Sequence, residues 1–275
     1  MNNQLQSKPK FSLAIQSEGY KKLINNTLGD SKRASKFIAA ISSAVATNSS
    51  LQQCDAGSIL SGALLGEALN LSPSPQLGQY YLVPFKDKAQ FQLGYKGYIQ
   101  LAIRSGQYKD IDVIEVREGE YLGRDKITGK HQFEFIEDEV ERENKPIIGY
   151  MAYFEYLNGF YKNLYWSKEK MQKHALEYSQ AYASDVKKGT NYSFWTKDFN
   201  GMAFKTMLRQ LISKWGIMSI DMQEALTKDM SVVKEDGSYD YVDNQPVMEV
   251  PSEERVEQTA ETTTVEVKQV NINEL

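Results

Sequence analysis

Lys205–Trp215 reads KTMLRQLISKW, and its periodicity decides how the second half of the chain folds. Phe199, Ala203, Met207, Leu208, Leu211 and Trp215 recur at helical spacing on one broad arc, so the pattern predicts a helix over Thr196–Trp215 with a buried stripe. Lys205 and Arg209 are four residues apart and share a face away from the centre of that arc. An aromatic run (Tyr192, Phe194, Trp195, Phe199) leads into the helix. A buried stripe with a fixed cationic pair beside aromatic rings suits a polyanion. A solvated charged face is the plainer alternative.

Upstream, helical patterns run over Ser12–Leu28 and Lys32–Thr47, the second with Phe37, Ile38, Ile41 and Val45 on its apolar side. Asp55 is a natural N-cap for a third helix, Ala56–Asn70. That helix is apolar nearly all round, which predicts burial, and Gly57, Gly62 and Gly66 permit close packing. Ser72–Pro75 (SPSP) stops it. Strands are predicted at Gln79–Phe85 and Ala89–Leu93 around a Lys86-Asp87-Lys88 turn, then a helix at Tyr95–Arg104. Further strands are predicted at Asp110–Arg117 and His131–Ile136. Asn158-Gly159 joins Ile147–Leu157 to Phe160–Trp166 and suits a tight two-residue hairpin turn. A helix follows at Ser167–Tyr178. The fold class expected is α+β: a small antiparallel sheet with hairpins packed against several helices, followed by a flexible acidic C-terminal tail.

Net charge is −4, which by itself argues against a generic nucleic-acid binder, but the charge is unevenly spread. Residues 226–275 hold 4 basic and 12 acidic groups, leaving residues 1–225 at +4. Residues 1–110 carry 12 basic against 6 acidic groups and residues 160–215 carry 10 against 4, while 115–145 carry 6 against 10. Two basic regions around an acidic one suggest a cationic groove with an anionic outer wall. The expected organisation is a mobile N-terminal segment with the first helix (1–30), a main domain carrying the cationic groove (31–225), and a tail (226–275) that solubilises the chain or docks a partner. The single Cys54 excludes an intrachain disulfide. One cysteine, no apolar leader in MNNQLQSKPK and no apolar run of about 18 residues lead to the expectation of a cytoplasmic protein without a membrane partner.

Catalytic signatures are weak. His131 and His174 are the two histidines, and each reads as a surface or structural group. Gly123–His131 (GRDKITGKH) has five residues between its glycines and His131 after Lys130, where a phosphate-cradling loop needs four and a Ser or Thr. Asp110 and Asp112 share a strand face with Glu115 opposite, which does not favour a metal-dependent nuclease. Neither catalytic residues nor metal ligands are assigned. No cofactor is expected to be required, with the effect of magnesium left open.

Six ordered segments resemble the RecT family of phage single-strand annealing proteins. They are Ser58–Leu69 (SILSGALLGEAL), Tyr81–Phe85 (YLVPF), Gln92–Gly106 (QLGYKGYIQLAIRSG), Gly149–Tyr153 (GYMAY), Trp195 and Lys205–Ser219 (KTMLRQLISKWGIMS). They span roughly residues 35–225. The resemblance implies a protein that binds single-stranded DNA, pairs complementary strands without ATP and forms rings or helical filaments. It also implies an annealed duplex as product, a phage exonuclease as partner and, in the same setting, a host single-strand-binding protein. Beside it, the residues expected to touch phosphate are Lys86, Lys88, Lys96, Arg104, Lys205, Arg209 and Lys214. Those expected to stack on bases are Tyr81, Tyr95, Tyr98 and Trp195, with core packing as the alternative for at least half of them. A passive single-strand binder, a nuclease of the same pathway and a structural filament protein are the competing readings.

Overall fold

The computed structural model describes residues 11–241. The first predicted helix is two, α1 (Phe11–Ala14) and α2 (Glu18–Leu28), because Ser17 turns extended between them. In α3 (Ser31–Ala46) Asp30 caps the start by accepting from Lys32 N, and Ala34, Phe37, Ile41 and Val45 are buried. After a 3-10 turn at Leu51–Gln53 comes α4 (Ala56–Ala68), capped by Asp55, whose carboxylate accepts from Ser58 N at 2.9 Å. Its glycines have the expected packing role. A Cβ on Gly62 would come within 2.8 Å of the Leu82 side chain, and one on Gly66 within 2.3 Å of the Tyr80 ring.

Those neighbours belong to β1 (Tyr80–Phe85), which pairs with β2 (Lys88–Leu93) from Tyr80↔Leu93 to Phe85↔Lys88, so the turn is Lys86-Asp87. α5 (Tyr95–Arg104) starts immediately after β2. Then come β3 (Tyr108–Arg117), the small hairpin β4 (Tyr121–Arg124) and β5 (His131–Phe133), and a short helix, α6 (Glu139–Asn144), inside the acidic run. β6 (Ile147–Tyr156) is central between β3 and β7 (Tyr161–Ser167) in a three-stranded antiparallel sheet. The β6–β7 connection differs from the expected two-residue turn. Tyr156 N donates to Phe160 O and Gly159 N to Tyr156 O, and Gly159 takes φ +82 while Asn158 does not turn left-handed. The loop is therefore three residues long, with the glycine at its left-handed position.

α7 (Lys168–Tyr178) and α8 (Gln180–Lys188) follow. The helix predicted over Thr196–Trp215 is divided at Asp198, which closes α9 (Phe194–Lys197) and caps α10 (Phe199–Trp215) by accepting from Gly201 N. α10 lies on the face of the β3-β6-β7 sheet that carries Tyr150, Phe154 and Tyr156. The Tyr150 and Phe204 rings meet edge-on at 5.9 Å, and the Tyr156 hydroxyl donates to Trp215 O at 2.9 Å.

The boundary expected at 225/226 falls inside α11 (Ile220–Lys228). Beyond it, β8 (Ser231–Val233) pairs with β2 at Phe91↔Ser231, and β9 (Tyr239–Tyr241) pairs with β8. The resulting four-stranded sheet has the order β1-β2-β8-β9. Leu226, Val232 and Val233 are buried there, and so is Asp229. Apolar burial therefore holds residues 226–233 in the body despite the acidic composition of the whole stretch. Residues 1–10 and 242–275, the latter the larger part of the expected tail, lie outside the described residues.

Candidate nucleic-acid interface

The QLGYKGY block builds a junction between strand and helix. Gly94 caps α5, and its N–H donates to Gln79 O at 2.9 Å. A Cβ on Gly94 would stand 2.1 Å from Gly78 O, and one on Gly97 would stand 2.1 Å from Gln79 O. Only glycine lets the entry to β1 lie directly on the first turn of α5. This close approach sets Tyr81, from β1, beside Tyr95, from α5. α9 supplies Phe194, whose ring is 6.0 Å from that of Tyr81. Together they line a cleft of about 270 Å³ with Gly94, Lys197, Gly201 and Met202, and Lys205 reaches it from α10. A cleft at the small end of ligand sites, roughly 300–1,000 Å³, takes a flat ring and leaves the rest of a chain outside.

Exposed cations stand at its mouth. Lys96 Nζ lies 5.9 Å from the Tyr95 ring and Lys197 Nζ 5.9 Å from the Phe194 ring. Burial, and then the Asp198 carboxylate, raise the Tyr81 and Tyr95 phenols above their ordinary value of 10, so both stay neutral at physiological pH. Neutral rings flanked by ammonium groups suit base stacking combined with phosphate contact. Asp198 caps α10 and adds a negative charge to the cleft lining.

The sequence-predicted residues meet different fates. Tyr81, Tyr95 and Lys96 come together in this cleft. Lys86 and Lys88 are exposed at the β1–β2 turn, Lys86 in the left-handed region at φ +53. Lys214 is exposed at the end of α10, 4.8 Å from the Trp215 ring. Arg104 donates to Leu69 O at 2.6 Å and Asn70 O at 3.2 Å, so its guanidinium closes the C-terminus of α4. Trp195 is 6% exposed and packs edge-on against Phe199 at 5.2 Å, and Tyr98 is fully buried.

Lys205 and Arg209 do share a face, but that face is covered. Both donate to Asp229, Lys205 at 2.9 Å and Arg209 at 2.8 Å, and the Asp229 side chain has no exposed surface. Tyr98 Oη donates to the same carboxylate at 3.1 Å and Leu93 N at 2.8 Å. Burial pushes the Lys205 ammonium below its ordinary pKa, and Asp229 recovers only part of that. This pair ties α10 to the α11–β8 connection in the interior. Composition hid Asp229 inside an acidic stretch; the apolar Val232-Val233 just after it was the available signal. Lys197 and Phe194 were missed because Trp195, between them, drew the stacking assignment.

A second loop anchor lies behind α9. Asp185 is buried and accepts from the Thr190 and Thr196 hydroxyls and from Tyr192 N and Ser193 N. Its desolvation is outweighed by those hydrogen bonds, which hold the carboxyl well below the usual range. Asp185 therefore fixes the loop that presents Phe194.

The groups considered for catalysis do not converge. His131 accepts or donates only one side-chain bond, with the Tyr121 hydroxyl at 3.0 Å, and His174 packs against Trp166 and Tyr178. Asp110 and Asp112 do lie on one face, opposite Glu155 and Tyr153 of β6, while Glu115 points to the other and accepts from Asn200. Among the described residues no three metal-ligating side chains cluster, and no helix is long and apolar enough to cross a membrane. In the Gly123–His131 loop, Asp125 accepts from Ile127 N and Thr128 N, and Gly129 takes φ +68, so an ordinary tight turn explains the glycine.

An aromatic cleft rimmed by lysines has the chemistry to hold a nucleic-acid strand. Residues 35–246 match the family model described as "RecT family". The chain is 39% identical over 221 residues to "Uncharacterized protein YqaK" of Bacillus subtilis (strain 168), covering 78% of this chain and 73% of that protein. It is 30% identical over 193 residues to "Protein RecT" of Escherichia coli (strain K12), covering 65% of each. The chain belongs to the RecT family and is a recombination-related single-strand annealing protein.

Proposed function

We propose that this protein holds one DNA strand by its phosphates across the cleft formed by β1, α5 and α9, and pairs it with a complementary strand without ATP. The observation that carries this reading is the cleft itself: Tyr81, Tyr95 and Phe194 as stacking surfaces, with Lys96 and Lys197 placed to meet phosphate. Lys86 and Lys88 extend the cationic surface. Lys205, Arg209, Tyr98 and Trp195 support it from beneath, and Arg104, itself exposed, closes the C-terminus of α4. Backbone-dominated contact leaves base edges free, as pairing requires, and predicts strong salt dependence with little sequence preference. The reaction is downhill once strands are aligned, so the protein acts by holding and aligning rather than by bond-breaking chemistry, with no cofactor required. Protomers assemble along the strand as a ring or helical filament and work beside an exonuclease that exposes the strand and a host single-strand-binding protein.

The test is annealing of two complementary dye-labelled oligonucleotides without ATP, with a non-complementary pair as control and strand integrity checked. Fast pairing of intact strands, reduced in Lys96→Ala/Lys197→Ala, is the expected result. Binding without accelerated pairing would identify a passive binder, and shortened strands would identify a nuclease.

A further inference from the structure

A second group of cations lies away from the cleft. β7 is an edge strand, and its side chains alternate between two faces. On one face Lys162 Nζ lies 4.8 Å from the Trp215 ring, which Lys214 Nζ also approaches to 4.8 Å, and Lys170 Nζ lies 4.3 Å from Trp166. On the other, Lys130 Nζ of the β4–β5 hairpin lies 5.8 Å from Tyr161. None of these four lysines forms an ion pair among the described residues. Three carboxylates border the group without pairing with it: Asp110 accepts from the Tyr153 hydroxyl, Glu169 is held by the capping Ser167, and Glu177 lies near His174.

His131 reports how closely the charges converge. Burial lowers its pKa, and Arg124, Lys162 and Lys170 all push the same way, with no carboxylate opposing them. Burial also lowers the pKa of Lys170, so its ammonium is partly dehydrated against Trp166.

We propose that this surface, which wraps the β7 edge from the Lys162 face to the Tyr161 face and is built by β7, the β4–β5 hairpin, the start of α7 and the end of α10, binds a second single strand of nucleic acid while the cleft holds the first. Unneutralised lysines interleaved with aromatic rings match phosphates interleaved with bases. The surface shares no residue with the lining of the cleft. Annealing needs two strands near one another before they pair, and two like-charged strands approach only where protein neutralises both. The inference rests on the annealing function proposed above, and it adds the place where the incoming strand is sampled.

The experiment uses the full chain carrying Lys162→Ala, Lys170→Ala and Lys214→Ala, with Arg124→Glu/Lys130→Glu as an independent variant on the hairpin side. Binding of a first labelled oligonucleotide is read by anisotropy. Capture of a second, non-complementary strand by the preformed complex is read by energy transfer, and thermal melts confirm folding. First-strand affinity is expected to change by no more than about twofold. Second-strand capture is expected to fall more than about tenfold, with its log–log salt slope shallower by about 2, as three lost phosphate contacts on single strands give. Annealing should fall with it. Unchanged second-strand capture in both variants overturns the proposal, as does equal loss of first-strand binding, which would make the two surfaces one site. A peptide of residues 246–266 that binds the wild-type chain but not the variant, with strand capture unchanged, would assign the surface to an acidic peptide and overturn it as well. Failure of the wild-type chain to anneal would instead refute the function proposed above.

Discussion

Replacing Asp229 with alanine should cost the body more than any surface charge change. The carboxylate accepts from Lys205, Arg209, Tyr98 and Leu93 N with no exposed surface. Arg209 retains 27% side-chain exposure, but Lys205 only 7%, so Lys205 would be left as a buried, uncompensated ammonium. Breaking a buried pair in this way costs about 3–5 kcal/mol. For a body of this size roughly 2–4 °C of Tm is lost per kcal/mol, so a fall of about 6–20 °C is expected. The pH dependence is the sharper signature. The folded-state pKa of Lys205 is already below its ordinary value of 10.5, and losing Asp229 lowers it further. Between the folded and unfolded values the unfolded chain binds the extra proton, so stability rises with pH across that window. The window widens downward in Asp229→Ala, so its deficit should narrow as pH rises from 7 toward 10. Lys205→Met should relieve part of the deficit in the double variant. Urea denaturation at several pH values measures all three. A deficit under about 1 kcal/mol, or one flat between pH 7 and 10, would refute the claim that Lys205 is held dehydrated by Asp229.

Three further outcomes follow from the same geometry. Ending the chain after Ala225 removes Asp229 and β8 and should abolish cooperative unfolding, whereas ending it after Gln245 should preserve the melt; circular dichroism distinguishes them. Gly97→Ala places a methyl 2.1 Å from Gln79 O, so overpacking should cost about 1–3 kcal/mol and weaken strand binding, which melts and anisotropy titrations read separately. Asp185 has a depressed folded pKa, so its contribution is present above the unfolded value of 3.8 and lost as pH falls through the lower folded one. Asp185→Asn should therefore be less stable at neutral pH and show a flatter acid limb, with Phe194 less fixed and oligonucleotide affinity reduced.

Local pattern was enough for the elements whose partners are close in sequence. Asp55 and the glycines of α4, the exact span of α5 and the β1–β2 hairpin were readable because caps, turns and periodicity are short-range properties. Errors gathered where a neighbour distant in sequence decided the outcome. Tyr95 and Tyr98 are three residues apart on α5, yet one lines a cleft and the other is sealed against Asp229. Trp195 entered the core while Phe194 beside it reached the cleft. The short helix α6 was hidden in a run readable only as acidic.

The sequence by itself determined the α+β class, the span of α5 and the family, since each rests on residue types in a fixed order. Tertiary structure alone decided which cations face solvent. Lys205 and Arg209 share a face because a helix repeats every 3.6 residues, but whether that face meets water, DNA or a carboxylate depends on what packs over it. Here Asp229, anchored by the buried Leu226 of α11 and Val232 and Val233 of β8, packs over that face and pairs with both cations, while Lys96 and Lys197 stay at the surface.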